Sequence, residues 1–97
     1  MGRQTIRWTK RALRRLDEIG THIEKDSPEA AARVIARILS AAELLTEQPA
    51  MGRVGRIKAT RELVLVDIPY IIPYRVGRDT VEILTVIHAA QQWPQAL

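Results

Sequence analysis

The chain has 97 residues and no cysteine, and its 15 lysines and arginines outnumber its 11 acidic residues, for a formal net charge of +4. Without cysteine it can form neither a disulfide framework nor a thiolate metal site, and its two histidines are too far apart to suggest a metal centre. Its apolar runs are too short to span a bilayer and no signal-peptide pattern opens it. We therefore expect one cytoplasmic domain, residues 1–97, with no metal, cofactor or membrane partner. Twelve of the cations are arginine, which favours contacts to phosphate or carboxylate groups.

The first part of the chain predicts a strand and then a helix. Residues 4–9 alternate Ile6 and Trp8 with Arg7, the period of a short strand. Thr9 is placed to cap an amphipathic helix, in which Arg14 and Glu18 are spaced to form an ion pair. The face expected to be buried carries Leu13, Leu16, Ile19 or Gly20, and Ile23. The face expected in solvent carries Lys10, Arg11, Arg14 and Arg15.

A second helix begins within residues 26–30, DSPEA. Ser27 is the expected N-cap, Pro28 the first helical residue, and Glu29 lies in the first turn. Alanines along this helix allow a close approach to the first helix, so the two are expected to form a helical hairpin. Its expected buried residues are Val34 or Ile35, Ile38, Leu39, Ala42 and Leu45.

The remaining part of the chain predicts a sheet. Residues 61–66, 70–76 and 81–88 are rich in β-branched residues, and two short turns separate them. They are expected to form a meander of three antiparallel strands. The order strand, helix, helix, three strands predicts an α+β fold, a mostly antiparallel sheet with the helical hairpin on one face.

Residues 51–63, MGRVGRIKATREL, are expected to cross the surface from the helices to the sheet. Gly52 and Gly55 allow turns and close backbone approach. The cations are a candidate binding surface for a phosphate or a carboxylate, and the alternative is a solvated loop. They are Arg53, Arg56, Lys58 and Arg61.

Other candidate residues lie on the last strands and in the tail. Tyr70 and Tyr74 share one face of a strand and either stack on bases or pack in the sheet, whereas Arg75 lies on the other face. His88 ends the last strand and either exchanges protons or holds the tail in place. Trp93, within the tail HAAQQWPQAL, either anchors that tail or contacts a ligand.

Five stretches in this order resemble the RelE/ParE superfamily of bacterial toxin–antitoxin toxins, and more closely its ParE branch. They are SPEAAARVIARI, PAMGRVGR, TREL, PYIIPYRV and VEILTVIHAAQQWP, and they cover nearly the whole chain. The resemblance implies a small RelE/ParE-like toxin that a cognate antitoxin neutralises by wrapping a flexible segment around it. ParE-like members are associated with inhibition of DNA gyrase, and RelE-like members cut mRNA on the ribosome.

The resemblance leaves three functions open. The first is a non-enzymatic toxin that binds DNA gyrase. The second is a ribosome-dependent mRNA endoribonuclease, for which His88 and Tyr70 are the candidate catalytic residues. Ribosome-dependent members often carry an arginine on the middle strand, and its place here falls on Ile71, which cannot contact a phosphate through a charge. The third is a relative that only pairs with an antitoxin. The candidate residues for binding target or antitoxin are Arg53, Arg56, Lys58, Arg61, Arg75 and Trp93.

Overall fold

One sheet and two helices make up the computed structural model, which describes residues 3–91 and residue 93. The strand order is β1-β5-β4-β3-β2, and β6 also pairs with β4. Only β1 and β5 are parallel, and both helices pack on one face of the sheet. The predicted α+β fold is confirmed. The elements are β1 Thr5–Trp8, α1 Lys10–Glu24, α2 Pro28–Leu44, β2 Arg53–Val54, β3 Arg61–Val64, β4 Tyr70–Val76, β5 Thr80–Ile83 and β6 Ile87–His88.

Both helices begin where local capping chemistry places them. The Thr9 hydroxyl oxygen accepts a hydrogen bond from the Ala12 N–H (3.0 Å) and donates to the Ile83 carbonyl (2.9 Å), which ties the start of α1 to β5. The Ser27 hydroxyl accepts from the Ala30 N–H at 3.1 Å. The predicted caps are therefore confirmed.

The buried faces of the helices differ from the prediction at two leucines. Leu13 is 52% exposed and Leu39 is 43% exposed, so their predicted burial is wrong. The residues buried where the helices meet the sheet are the predicted Ile19, Ile38 and Leu45 and, beside them, Ala12 and Ala41. Leu13 of α1 and Leu39 of α2 therefore face the groove between the two helices and not the sheet.

The last predicted strand, residues 81–88, is interrupted by a β-bulge. Leu84 donates to the Pro73 carbonyl, and the next paired residues are Ile71 and Ile87. Thr85 and Val86 therefore oppose the single residue Ile72 of β4. Residues 81–88 are therefore not one continuous strand. The sequence predicts a bulge or an unpaired neighbour at Pro73, because proline supplies no N–H to the ladder, and this prediction is confirmed.

Residues 51–63, called the basic hairpin below, form part of the sheet and not a surface crossover. β2 pairs with β3 antiparallel, and the Gly55 N–H donates to the Thr60 carbonyl (2.8 Å) to close the loop. A Cβ on Gly55 would lie 2.2 Å from the Thr60 hydroxyl oxygen. The prediction of a surface crossover is therefore wrong. The predicted close backbone approach at Gly55 is confirmed, because a side chain there would collide with Thr60.

Within residues 3–91 and 93, neither helix is long and apolar enough to cross a bilayer. The tail predicted from His88 onward includes residue 92 and residues 94–97, which lie outside the described residues.

Candidate functional site

The base of the basic hairpin is attached to β4 by Tyr74, whose side chain is completely buried. The Tyr74 hydroxyl donates to the Pro49 carbonyl (2.6 Å) and accepts from the Gly52 N–H (2.8 Å). Burial raises the pKa of Tyr74, although the Gly52 N–H and the charge of Arg61 oppose this rise. The hydroxyl therefore remains protonated at neutral pH as a structural bridge, and its ring has no exposed face on which a base could stack.

A buried carboxylate, Glu62, organises two of the predicted binding arginines. Glu62 is only 2% exposed. Its Oε1 accepts from Arg53 (Nη2 2.8 Å, Nε 2.9 Å), and its Oε2 accepts from the backbone N–H of Arg56 (2.8 Å) and lies 3.6 Å from the Arg56 Nε. Both arginine side chains remain about half exposed. The hairpin thus presents two guanidinium groups whose positions are set from below.

Burial raises the pKa of the Glu62 carboxyl, but the hydrogen bonds from Arg56 and Arg53 and the charges of both arginines outweigh it. The net effect holds the Glu62 pKa below its ordinary value of 4.5. In the folded protein Glu62 thus binds a proton less readily than in the unfolded chain. Its stabilising contribution is complete above that ordinary value and is lost as the pH falls through the folded pKa.

The acid dependence of stability tests this arrangement. We expect Glu62→Gln to lower the free energy of unfolding by about 2 kcal/mol at neutral pH, because hydrogen bonds to a charged group are lost. The difference from wild type should shrink as the pH falls below 4.5 and through the lowered folded pKa of Glu62, because Glu62 then becomes protonated. Urea unfolding of both proteins at several pH values measures this difference in the free energy of unfolding.

Asp67 supplies the control, since Arg37 lowers the pKa of its carboxyl through two hydrogen bonds of 2.6 and 2.9 Å at the exposed surface. Asp67→Asn should cost much less stability at neutral pH, because solvent screens that pair. A Glu62→Gln difference that stays constant from neutral to acid pH would contradict the assigned role.

The other predicted binding residues lie in two places. The guanidinium carbon of Arg56 is 3.8 Å from the centroid of the Trp93 ring, a cation–π contact that brings the tail to the basic hairpin. Arg61 donates to the Gly52 carbonyl (2.7 Å). Lys58 is exposed in the hairpin loop. Arg75 lies on β4, on the strand face away from the helices that Glu62 also faces, and its Nη1 is 3.5 Å from Glu82.

An apolar groove lies between α1 and α2, and it exposes leucines that the helical periodicity predicts to be buried in the core. It has a volume of about 670 Å³ and opens to solvent on the side of the helices away from the sheet. Leu13 and Leu39 were predicted to be buried because their spacing matches the core face. Exposed apolar surface of this kind marks interaction sites. The groove is lined by Leu13, Leu16, Gly20, Ile35 and Leu39, among others.

Most of the chain is similar to known proteins. The family model described as the ParE toxin of the type II toxin–antitoxin system, parDE, matches residues 6–93. The chain belongs to the ParE toxin family. The matched residues include the groove, the basic hairpin and Trp93.

Individual relatives agree with this assignment. The putative toxin Y4kP of Sinorhizobium fredii is 73% identical over 97 residues, which is 100% of both chains. Toxin RelE2 of Caulobacter vibrioides is 43% identical over 84 residues, 87% of this chain and 93% of that one. Both relatives are named as toxins.

Solved structures show the same fold. The chromosomal ParDE toxin–antitoxin system from P. aeruginosa matches with a TM-score of 0.80 at 26% identity, covering 88% of this chain and 95% of that one. The toxin–antitoxin complex RelBE2 from Mycobacterium tuberculosis matches with a TM-score of 0.67 at 28% identity, covering 94% and 97%.

The two candidate catalytic residues of this ParE toxin lie together but apart from its basic hairpin. Tyr70 is buried on the helix-facing side of the sheet, and its ring meets that of His88 edge-on, with centroids 5.2 Å apart. His88 Nδ1 accepts from the Ala90 N–H at 3.1 Å. Tyr70 lies four residues along β4 from Tyr74, the residue paired with Arg61, a separation of about 13 Å along a strand.

The arginine position of ribosome-dependent relatives is occupied by an aliphatic side chain that packs in the sheet. Ile71 is buried and pairs with Val64 on one side and Ile87 on the other. A cation at this position would be desolvated among aliphatic neighbours. This ParE toxin therefore lacks the middle-strand charge that the alternative function would use.

Proposed function

We propose that this ParE toxin stops bacterial growth in the cytoplasm by binding DNA gyrase, without catalysing a reaction, and that a cognate antitoxin neutralises it. The observation that carries the non-enzymatic part is the aliphatic Ile71 at the middle-strand arginine position, and the acid–base candidates are also separated from the cations of the basic hairpin. RNA cleavage by a ribose hydroxyl needs a base and a charge-stabilising group at the same phosphate. Here Tyr70 is buried beside His88, about 13 Å along the strand from the level of Arg61.

The basic hairpin, with Trp93, is the surface we propose for the target. Arginine and tryptophan are the residues most enriched at the energetic centres of protein interfaces. Arg53 and Arg56 are held by Glu62 and are half exposed, so little side-chain entropy is lost when they bind a partner. Lys58 and Arg61 add charge to the same hairpin, and Arg75, which shares a sheet face with Glu62, extends the cationic surface along β4.

The groove between α1 and α2 is the surface we propose for the antitoxin. Its width between two helices and its exposed leucines suit the apolar face of an amphipathic helix. Two solved relatives are described by their titles as a ParDE toxin–antitoxin system and a RelBE2 toxin–antitoxin complex. A flexible antitoxin segment would order on binding, and its acidic residues could reach the basic hairpin.

The alternative function is ribosome-dependent cleavage of mRNA. Two observations favour it: a relative 43% identical is named Toxin RelE2, and His88 and Tyr70 are in direct contact. Under this alternative His88 is the proton-transfer residue, and Tyr70 orients it.

His88→Ala separates the two functions. We expect the wild-type chain and His88→Ala to arrest growth equally, within about twofold. Binding to gyrase involves no proton transfer, so the loss of the imidazole should not matter. Transcriptome-wide mapping of RNA 5′ ends after brief induction should show no new cuts in translated messages. The purified toxin should inhibit supercoiling by purified gyrase.

Antitoxin binding by both proteins, measured by calorimetry, verifies that His88→Ala is folded. New in-frame cuts that disappear in His88→Ala would establish the ribonuclease and exclude the gyrase proposal. Growth arrest without cuts and without gyrase inhibition would reject both functions.

A further inference from the structure

A second cationic surface, separate from the basic hairpin, lies where α1 meets the bulged end of the sheet. It is a cleft of about 260 Å³, called the arginine cleft below. Three arginines and one glutamate leave it a net charge of +2. The cleft is lined by Arg11, Arg14, Arg15, Glu18, Thr85, Ile87 and Gln91.

One of these arginines forms the wall of the cleft. Arg15 Nε donates to the Val86 carbonyl at the bulge (3.0 Å), and its Nη2 donates to the Gln91 side chain (2.9 Å). Glu18 lies 3.7 Å from Arg15, so the ion pair predicted between Glu18 and Arg14 is wrong. Arg15 is held because the bulge leaves a carbonyl that the strand ladder does not use.

Arg14 projects from the same side of α1 with its charge uncompensated. Its side chain is exposed, and within residues 3–91 and 93 it makes no ion pair. Arginine remains charged at every physiological pH. Arg14 can therefore bind an external anion without first breaking an internal contact.

The charge distribution along α1 opposes helix stability. Its first turn contains Lys10 and Arg11 and no acidic residue, although the N-terminal end of a helix is already partially positive. Lys10 and Arg14 are also like charges at a spacing of four, which repel. By contrast, α2 has Glu29 in its first turn. Positive charge placed against the helix dipole costs folding energy, which is consistent with selection for binding.

The arginine cleft and the apolar groove lie on opposite flanks of α1. At 3.6 residues per turn, Leu13 and Gly20 point toward α2, whereas Arg15 and Glu18 point away from it, toward the last strand. An antitoxin helix lying in the groove would leave the cleft open. The cleft therefore needs a different, anionic occupant.

We propose that the arginine cleft binds the phosphodiester backbone of duplex DNA. Lys10, at the start of α1, adds a further positive charge beside the cleft. A ligand with a single carboxylate would leave most of these cations without an anionic partner. Duplex DNA presents about one negative charge per 1.7 Å of its axis, whereas one strand presents about one per 3.4 Å, so the duplex offers the denser row of phosphates. Recognition of unpaired RNA uses aromatic side chains for base stacking, and the described lining of the cleft contains none. This inference does not depend on gyrase being the target.

The test is direct binding by the full chain after separation from its antitoxin. The probe is a labelled 20-base-pair duplex of mixed sequence, followed by fluorescence anisotropy across about 50–200 mM salt. We expect Arg14→Glu to weaken affinity about tenfold or more, the loss of a charge-assisted contact. The slope of log affinity against log salt should fall by about one, the value for one lost phosphate contact.

Arg33→Glu is the matched control, because Arg33 is also an exposed helical arginine without an ion pair among the described residues. It changes the net charge equally and should weaken DNA binding by less than about threefold. Melting temperature and antitoxin affinity of both variants verify folding.

Three results would overturn the proposal. One is equal weakening by Arg14→Glu and Arg33→Glu, which would mean that only net charge matters. Another is an unchanged affinity and salt slope in Arg14→Glu. The third is tighter binding of a 20-nucleotide single-stranded RNA than of the duplex, which would assign the cleft to RNA. Each is independent of whether gyrase is inhibited, so failure here is distinguishable from failure of the proposed function.

Discussion

Replacing Leu13 and Leu39 together by aspartate is expected to weaken binding of the cognate antitoxin by about a hundredfold to ten-thousandfold. Each leucine is about half exposed in the free toxin. Fully burying an exposed leucine contributes roughly 1.5–3 kcal/mol, of which about half remains to be gained at each position, and burying an aspartate there adds a desolvation cost; each 1.4 kcal/mol is tenfold in affinity. Calorimetric titration of the antitoxin into each toxin variant measures the change.

The fold should survive this double substitution because neither side chain contributes to the buried core. The control is Leu44→Asp with Val66→Asp, since these aliphatic residues are 52% and 95% exposed but lie outside the groove. The control should bind antitoxin within about threefold of wild type. Unchanged affinity in the groove variant, with both variants folded, would show that the antitoxin does not use the groove.

Replacing Gly52 by alanine is expected to lower the free energy of unfolding by about 2–4 kcal/mol. An added Cβ would lie 2.7 Å from the buried Tyr74 ring and 2.8 Å from the Glu62 carbonyl oxygen. Neither neighbour can move freely, because Tyr74 is fully enclosed and Glu62 belongs to a strand. Relief of the clash would also break the hydrogen bond from the Gly52 N–H to Tyr74. Urea unfolding at neutral pH measures the loss.

Gly20→Ala is the matched control for this prediction. A Cβ there would meet Ile35 at 3.5 Å, an ordinary contact, within α1. Alanine is favoured over glycine in a helix by up to about 1 kcal/mol, so this variant should be as stable as wild type or more stable. A Gly52→Ala protein that unfolds at the wild-type urea concentration would contradict the assigned close approach.

These two predictions differ in how far the sequence could anticipate them. The sequence indicated only that Gly52 allows a close backbone approach, and the partners of that approach, Tyr74 and Glu62, come from strands later in the chain. The apolar groove was not expected, because Leu13 matches the helical period of the core. Periodicity identifies an apolar side of a helix, but it cannot tell which edge of that side the neighbouring helix leaves open.

The candidate binding cluster was predictable as composition but not as geometry. Four cations within nine residues are visible in the sequence. Nothing local indicates that Glu62 is buried beneath Arg53 and Arg56, since that requires β2 to pair with β3. The signal that could have revealed the hairpin is the pair of runs MGRV and TREL around a short loop, which resembles two edge strands.

The sequence by itself determined the features that depend on neighbours within about four residues. These are the starts of both helices at Thr9 and Ser27 and the β-branched runs of the sheet. The order of five such stretches along the chain also carried the superfamily resemblance. The tertiary structure decided which leucines stay exposed, where the last strand bulges, and that Arg15 reaches Val86, 71 residues away. The physical reason is that capping and period are local energies, whereas burial and ion pairing depend on which distant segments pack together.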